Sequence, residues 1–525
     1  MAAIALVFIA AGSLGYVFTR HFGIVGGPDF REGLVPAERP LSLNPLIGSV
    51  DPAVRDVGHL LYRGLLKLDQ TAYPRADLAS SYTVTTDGLT LRAVLGAGHR
   101  WSDGRIITTA DVVATVAFVQ SSRAANHSLS ALFQGVKLSL DGASISFTLP
   151  APRASFASTL TQLPILPLGG LSTARLAAVA AEPQTPLATS GAYVVQFADI
   201  NSVLLAPNPY AAVKPALLSY QFRLFSSFSD AASAFGSAQV DSVLTMTPAQ
   251  RAQLMAVKGA TAHDIATFRF VDLLMNERAP GLDDTVVRHA LSTAVTRAAI
   301  VRGALHGAGG VVQVGAISQG IPWAASTGGT EAASVEVAAA ALQKAGWVIG
   351  PAGVREKKGV VLAFTLTVPD AEPLPTVARE VAQEMTALGM NLYVDVVPAL
   401  GFVNTTVVPH AFQLALADWD GGPDPDISSF WRSNAVPPQG FNVSGGPIDP
   451  FLDQALDSLA TLTDPPARVA AAQSVNRYLA DDAPAIFLYT PKVSYVVRLP
   501  MKSANVPSIG GSAARFDAVA AWRRA

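Results

Sequence analysis

The sequence predicts an α/β protein built from more than one domain. Three observations carry that prediction. The chain has 525 residues, more than one hydrophobic core organises, so about two to four domains are expected. A strand–helix–strand unit is legible in the second half. Val360–Val368 is strand-like, and Val377, Val381, Met385 and Leu388 mark one face of a helix that Gly389 ends. Leu392, Val394 and Val396 then alternate as the next strand. Crossovers of this kind make parallel sheets covered by helices. In the first half, two β-patterned runs, Tyr82–Thr85 and Leu89–Val94, flank Asp87-Gly88, a strong short-range hairpin signal.

The other elements follow in chain order. Ala2 to Phe18 is apolar apart from Gly, Ser and Tyr. It is near the lower limit of about 17–25 residues for a spanning helix, so it reads as an export segment. Both an uncleaved anchor and a cleaved signal with Ala11-Gly12-Ser13 as its cleavage site fit. Glycine- and proline-rich Gly26–Pro45 reads as a linker. After the hairpin, Trp101-Ser102-Asp103-Gly104 is a polar turn in which Gly104 can take a positive φ. Thr108 opens a Thr-x-x-Asp cap closed by Asp111, leading into the helical run Val112–Phe118. Phe268–Asn276 is a strongly apolar strand candidate. Asp283-Asp284 caps a helix with Val287, Leu291, Ala294, Ala298 and Val301 at helical spacing. A second amphipathic helix, Val335 to Ala345, stops at Gly346. No internal repeat of about 20–50 residues is visible.

Composition narrows the function. Half of the residues are hydrophobic and 14% are charged, which disfavours long disordered tracts. A net charge of −2 argues against nucleic acid as a partner. With no cysteine there is no disulfide framework, thiolate metal site or cysteine nucleophile. The eight histidines are scattered, with no H-E-x-x-H. No G-x-S-x-G elbow, P-loop or G-x-G-x-x-G stands between a strand and a helix. Ala11-Gly12-Ser13-Leu14-Gly15 approximates an elbow but lies in the export segment. The sequence predicts a protein that is not an enzyme and has no cofactor or bound metal.

Trp101-Ser102-Asp103-Gly104, followed by Thr109-Ala110-Asp111-Val112-Val113, resembles the signature of extracytoplasmic solute-binding proteins of the family 5 type. These serve peptide, dipeptide and nickel ABC importers. Ile106 stands where that family usually has proline. Further matches occur in the family's order: Leu43-Asn44-Pro45-Leu46, Tyr62-Arg63-Gly64-Leu65-Leu66-Lys67-Leu68-Asp69, Ser190-Gly191-Ala192-Tyr193 and Asn208-Pro209-Tyr210 with Lys214-Pro215. Phe235-Gly236 with Val240-Asp241, Arg288 with Ala290-Leu291, and Ala345-Gly346-Trp347 complete the series. The resemblance runs from about Leu41 onward. It implies a two-lobed periplasmic-binding-protein-like (type II) fold, with an extra subdomain in the first lobe. The expected division is 1–20 anchor or signal; 21–60, 170–268 and 490–525 first lobe; 61–169 inserted subdomain; 269–489 second lobe. The chain would pass to the second lobe near Phe270 and return near Tyr489.

The implied function is that of an extracytoplasmic binding subunit of an ABC importer. It would hold a peptide or other small solute between the lobes and deliver it to membrane permease subunits. The protein is expected to be a monomer, anchored to the outer face of the membrane by its N-terminal segment. The alternative is a membrane-anchored receptor or scaffold that keeps the fold without transport.

The constellation with most chemistry is Leu416-Ala417-Asp418-Trp419-Asp420-Gly421-Gly422-Pro423-Asp424-Pro425-Asp426. Carboxylates beside an indole suit a cation, through charge-assisted hydrogen bonds and cation–π attraction. In peptide-binding relatives the corresponding W-x-x-D-Y-P-D-P loop supplies an aspartate to the ligand's α-amino group. Aligned on Pro423-Asp424-Pro425, this chain has Gly421 at that position and Asp418 at the tryptophan's. Trp419 and Asp420, shifted by one residue, or Asp418 would then take the ligand. Asp424 and Asp426 read instead as a solvated acidic turn capping the next helix. Trp323, after Ile321-Pro322, resembles a cleft-edge segment. Trp431, Asn276 and Tyr62 are weaker contact candidates, the last two placed near the expected lobe crossings. Trp101 and Trp347 read as packing.

Overall fold

The structure is a computed structural model that describes residues 28–47, 51–121, 127–325, 333–435, 440–446, 449–498, 501–502 and 505–524. The export segment lies outside them. Among the described residues no helix is long and apolar enough to cross a membrane.

The architecture is organised by one strand, Ala485–Val497, that belongs to two halves of a twelve-stranded mixed sheet. Its first residues, Ala485 to Tyr489, pair antiparallel with Arg269–Met275. Its last, Ser494 to Val497, pair antiparallel with Ser242–Thr245, and Lys492 to Val497 pair with Thr261–Ala266. In the first lobe, Ser242–Thr245 continues in parallel to Phe30–Leu34 and then Tyr220–Leu224. Antiparallel Ser202–Pro207 and Tyr193–Ala198 complete that side. In the second lobe, Arg269–Met275 pairs antiparallel with Leu414–Asp420. That strand is parallel to Ala363–Pro369, which is parallel to Asn391–Val397.

Burial follows the two-residue period of strands. Val271, Leu273 and Met275 enter one apolar cluster, with Val377, Val381 and Met385 of the helix Leu374–Ala387. Phe270 and Leu274 enter another on the opposite face, with Trp419, Phe430 and Leu479. Two covered faces are what a sheet with parallel crossovers requires. The first lobe has its own core, from Phe30 to Trp522.

The hairpin forms as Ala79–Val84 against Thr90–Leu95, with Gly88 at φ +66°. It extends into a four-stranded sheet with Ser144–Thr148 and Lys137–Asp141. The turn closes with the Gly104 amide donating to the Trp101 carbonyl at 2.9 Å, Gly104 having φ +89°. Thr108 and Asp111 form a capping box on the helix Thr109–Gln120. Asp111 does more than cap: its carboxylate also accepts the Gly169 amide at 3.0 Å. The indole of fully buried Trp101 lies 3.4 Å from it. The motif is therefore a packing knot of the first lobe.

Two expectations are corrected. The linker contains the strand Phe30–Leu34, disguised by Arg31 and Glu32. Glu32 is fully buried because Arg515, from the C-terminal end, meets it at 2.6 Å. The periodic run from Val287 to Val301 is two helices, Thr285–Ala294 and Arg297–Arg302. Val295 turns extended between them, and the Arg297 side chain donates to the Phe487 carbonyl at 2.6 Å. Asp284 caps the first helix as expected, accepting from Val286.

Candidate functional site

Strand polarity places the site. Arg269 lies opposite Asp420 and Thr245 opposite Ser494. The carboxyl ends of the parallel strands in both lobes therefore converge on the crossing between them. Open α/β sheets bind ligands outside those ends. The crossing is two extended segments side by side, Thr267 donating its amide and hydroxyl to the Pro491 carbonyl at 3.0 and 2.8 Å. Ser318 Oγ lies 3.1 Å from the Thr267 carbonyl, and Thr490 Oγ1 donates to Gln313 at 2.6 Å. A cavity of about 200 Å³ opens here between Thr247 and Pro248 of the first lobe and His306 and Glu372 of the second.

The strand Leu414–Asp420 ends at the crossing, and the four carboxylates of its end and of the loop after it have different fates. Asp418 is held by both Nε and a terminal nitrogen of Arg269, at 3.0 and 2.7 Å. Burial raises its carboxyl and Arg269 opposes that. Asp420 is exposed and accepts only the Gly422 amide, at 3.0 Å, among its described contacts. Asp424 is buried, gripped by Arg468 at 2.6 and 3.2 Å, and accepts the Ser158 hydroxyl at 2.8 Å. Asp426 accepts the amide and hydroxyl of Ser428 at the start of the helix Ser428–Trp431; burial pushes its carboxyl up. The capping half of the acidic-turn expectation holds only in that Asp426 accepts the first helical amide; the N-cap position is Ile427, and among the described residues Asp424 accepts no helical amide. The solvated half is wrong for Asp424, because a guanidinium 44 residues away occupies it.

Of the other predicted site residues, Trp323 lies at the lobe boundary. Its ring meets Tyr73 of the first lobe edge-on at 5.6 Å, and the Arg468 guanidinium lies over it at 5.5 Å. Trp419 belongs to the core of the second lobe. It donates to buried Asp272 at 3.0 Å and packs on Phe430 and Phe441. Burial pushes the Asp272 carboxyl well above the usual range, the indole opposing.

Asn276 is not near a crossing. Its strand runs away from the crevice, and its amide group ties the His410 and Phe412 carbonyls at 3.2 and 2.8 Å. Trp431 is buried against Phe487. It lines a separate cavity of about 260 Å³ with Glu277 and Asp482, at that distal end. Tyr62 is buried in the first lobe's core at the end of the helix Pro52–Leu61, its hydroxyl on the Leu187 backbone. Asp418, Asp420 and Trp323 are thus at the lobe boundary, with Arg269, Arg468, Ser158 and Tyr73, which no local pattern marked. Among the described residues no group of three or more His, Asp or Glu could hold a metal ion.

The family model for bacterial extracellular solute-binding proteins, family 5 (middle), matches residues 74–440. The chain belongs to this family. Its members are non-enzymatic, extracytoplasmic binding proteins of transport systems. As a family 5 protein it is similar to Protein XP55 of Streptomyces lividans, 27% identical over 93% of this chain and 88% of that one. Its fold is similar to that of AppA, the oligopeptide-binding protein of Bacillus subtilis, in complex with a nonapeptide. There the TM-score is 0.66 and the identity 20%, over 95% of this chain and 100% of that one. It is also similar to NikZ of Campylobacter jejuni in complex with Ni(L-His), with a TM-score of 0.69 and 20% identity over the same shares.

Proposed function

We propose that this family 5 protein is the solute-capturing subunit of an ABC importer, anchored outside the cell membrane by its N-terminal segment. It acts as a monomer, takes a peptide-like ligand between its lobes, and delivers the closed form to a permease. The lobe boundaries of this reading are those expected from the sequence, with passage near Phe270 and return near Tyr489. The observation that supports it is the convergence of strand ends from both lobes on one two-stranded crossing, which a single bend would open or close. A cavity of about 200 Å³ is below the roughly 300–1,000 Å³ of drug-sized ligand pockets, so a peptide requires wider lobes than these. Closure around ligand follows only if the closed state binds it more tightly than the open one.

Asp420 is the loop carboxylate with charge to spare for a ligand's ammonium, since Asp418 and Asp424 are each held by an arginine. Trp323 offers an aromatic wall. Small-angle scattering with and without a peptide mixture tests the reading: the radius of gyration falls on saturation, and an unchanged radius counts against it. A second reading, a receptor or scaffold without transport, is favoured by Gly421 at the position of the relatives' amine-binding aspartate. Mass spectrometry of natively expressed protein separates the two, a co-purifying solute supporting transport and an empty cleft the scaffold.

A further inference from the structure

The contacts around Asp424 form an unbroken chain between the lobes. Ser158 belongs to the short helix Phe156–Leu160, whose Phe156, Ala157 and Leu160 are buried in the first lobe's core. Its hydroxyl donates to Asp424 Oδ2 at 2.8 Å, and both groups are buried. The same carboxylate is forked by Arg468, which sits on the helix Pro465–Asp482 of the second lobe. The guanidinium also lies over the ring of Trp323, and Trp323 meets Tyr73 of the first lobe again. Beside this chain, the Ala154 amide donates to the Ala460 carbonyl at 2.7 Å, also across the lobes. Asp424 stands four residues after Asp420 on the same loop. Its Oδ1 accepts the Asp426 amide at 3.1 Å, so the carboxylate fixes the loop's own shape as well.

We infer that Asp424 is a positioning residue: held by Arg468 it sets the ligand loop, and through Ser158 it couples that loop to the first lobe. Separating the lobes strips Asp424 of the Ser158 hydroxyl but leaves the arginine fork, because both fork partners are in the second lobe. Loop shape and lobe separation are therefore linked by a single hydrogen bond to a charged acceptor, the stronger kind. Solute entering beside Asp420 would meet a loop whose position already depends on closure.

This inference rests on the two-lobed reading but not on the identity of any ligand, and it is tested on the ligand-free full chain. Hydrogen exchange is measured on wild type, Ser158→Ala, Asp424→Asn and the double variant. Ser158→Ala should speed exchange of the Ala154 amide and of residues 420–427 by about tenfold, with the two cores unchanged. The double variant should exchange no faster than Asp424→Asn alone, since both changes break one chain of contacts. Unchanged rates in Ser158→Ala, a uniform rise over the whole protein, or additive effects in the double variant would each overturn the inference. A protein that later proves not to serve a transporter leaves these results standing.

Discussion

Arg515→Met is the perturbation whose size the structure fixes best. Arg515 is fully buried in the first lobe and meets two carboxylates there, Glu32 at 2.6 Å and Asp56 at 2.8 Å. Glu32 also accepts the hydroxyls of Tyr220 and Tyr495, and the guanidinium lies 4.0 Å over the Phe516 ring. One cation thus fastens the C-terminal end to the first strand. Removing one partner of a buried ion pair typically costs about 3–5 kcal/mol, because the other charge remains without compensation. Methionine refills most of the volume, so the loss is electrostatic. At about 2–3 °C per kcal/mol for a cooperative unit the size of a lobe, Tm should fall by about 6–15 °C.

The pH dependence gives the sign. Burial raises the Glu32 carboxyl above its unfolded value, against the pull of Arg515. A raised group contributes stability that is present below the unfolded value and lost as pH rises through the folded one. Without Arg515 the raise is larger. The deficit of the variant should therefore be widest near pH 8 and narrow toward pH 5, because falling pH favours the protonated form of a carboxyl that burial has raised. Calorimetry at the two pH values measures both. A fall of less than about 2 °C at pH 8, or a deficit that widens toward acid, would refute the argument.

Three further outcomes are expected. Asp420→Asn should weaken binding of a peptide mixture by on the order of 10- to 100-fold in titration calorimetry, the value of one charge-assisted hydrogen bond; equal affinity removes Asp420 from the site. Gly320→Ala places a Cβ 2.0 Å from the Thr267 carbonyl oxygen and should cost about 1–3 kcal/mol in urea unfolding; an unmoved midpoint would mean that this segment does not press on the crossing. Glu277 is raised to about 7, mainly by burial and next by Asp482, so its contribution is lost as pH climbs from about 4.5 toward 7. Glu277→Gln should gain on the order of 1–3 kcal/mol at pH 8 and nothing at pH 4, and a Tm difference independent of pH would show the carboxyl to be unperturbed.

Much of the architecture was legible because its determinants are local. The Asp87-Gly88 hairpin, the Thr108/Asp111 capping box and the Asp284 cap are each written within a few residues. The crossover helix shows its apolar face in the sequence because Val377, Val381 and Met385 pack on a sheet. The strand Phe30–Leu34 failed to show because its pattern is broken by a glutamate whose burial depends on a residue 483 positions away. The helix break at Val295 failed because apolar spacing continues across it, while the Arg297 contact that turns the chain is to a distant carbonyl.

The site was harder for the same reason, applied to charge. Sequence places four carboxylates in nine residues and cannot say which of them keeps its charge available. Asp418 loses that freedom to Arg269 and Asp424 to Arg468, 149 and 44 residues away. Asp426 turns inward to cap a helix. A strongly acidic string thus reduces to one exposed carboxylate, Asp420, beside one exposed-edged arginine, Arg269. Since Arg269 is already matched by Asp418, Asp420 leaves this string with one uncompensated negative charge at the lobe boundary. That charge is the one the proposed function assigns to a ligand's ammonium. It also makes Gly421 the position to watch. A Cβ there would come no closer than 3.4 Å, to the Phe270 ring, which is ordinary contact, so the backbone at this position accepts a side chain. Gly421→Asp should therefore fold as wild type and bind peptides with a free amino terminus more tightly than acetylated ones, and equal affinity for the two would show that this loop does not read the ligand's amine.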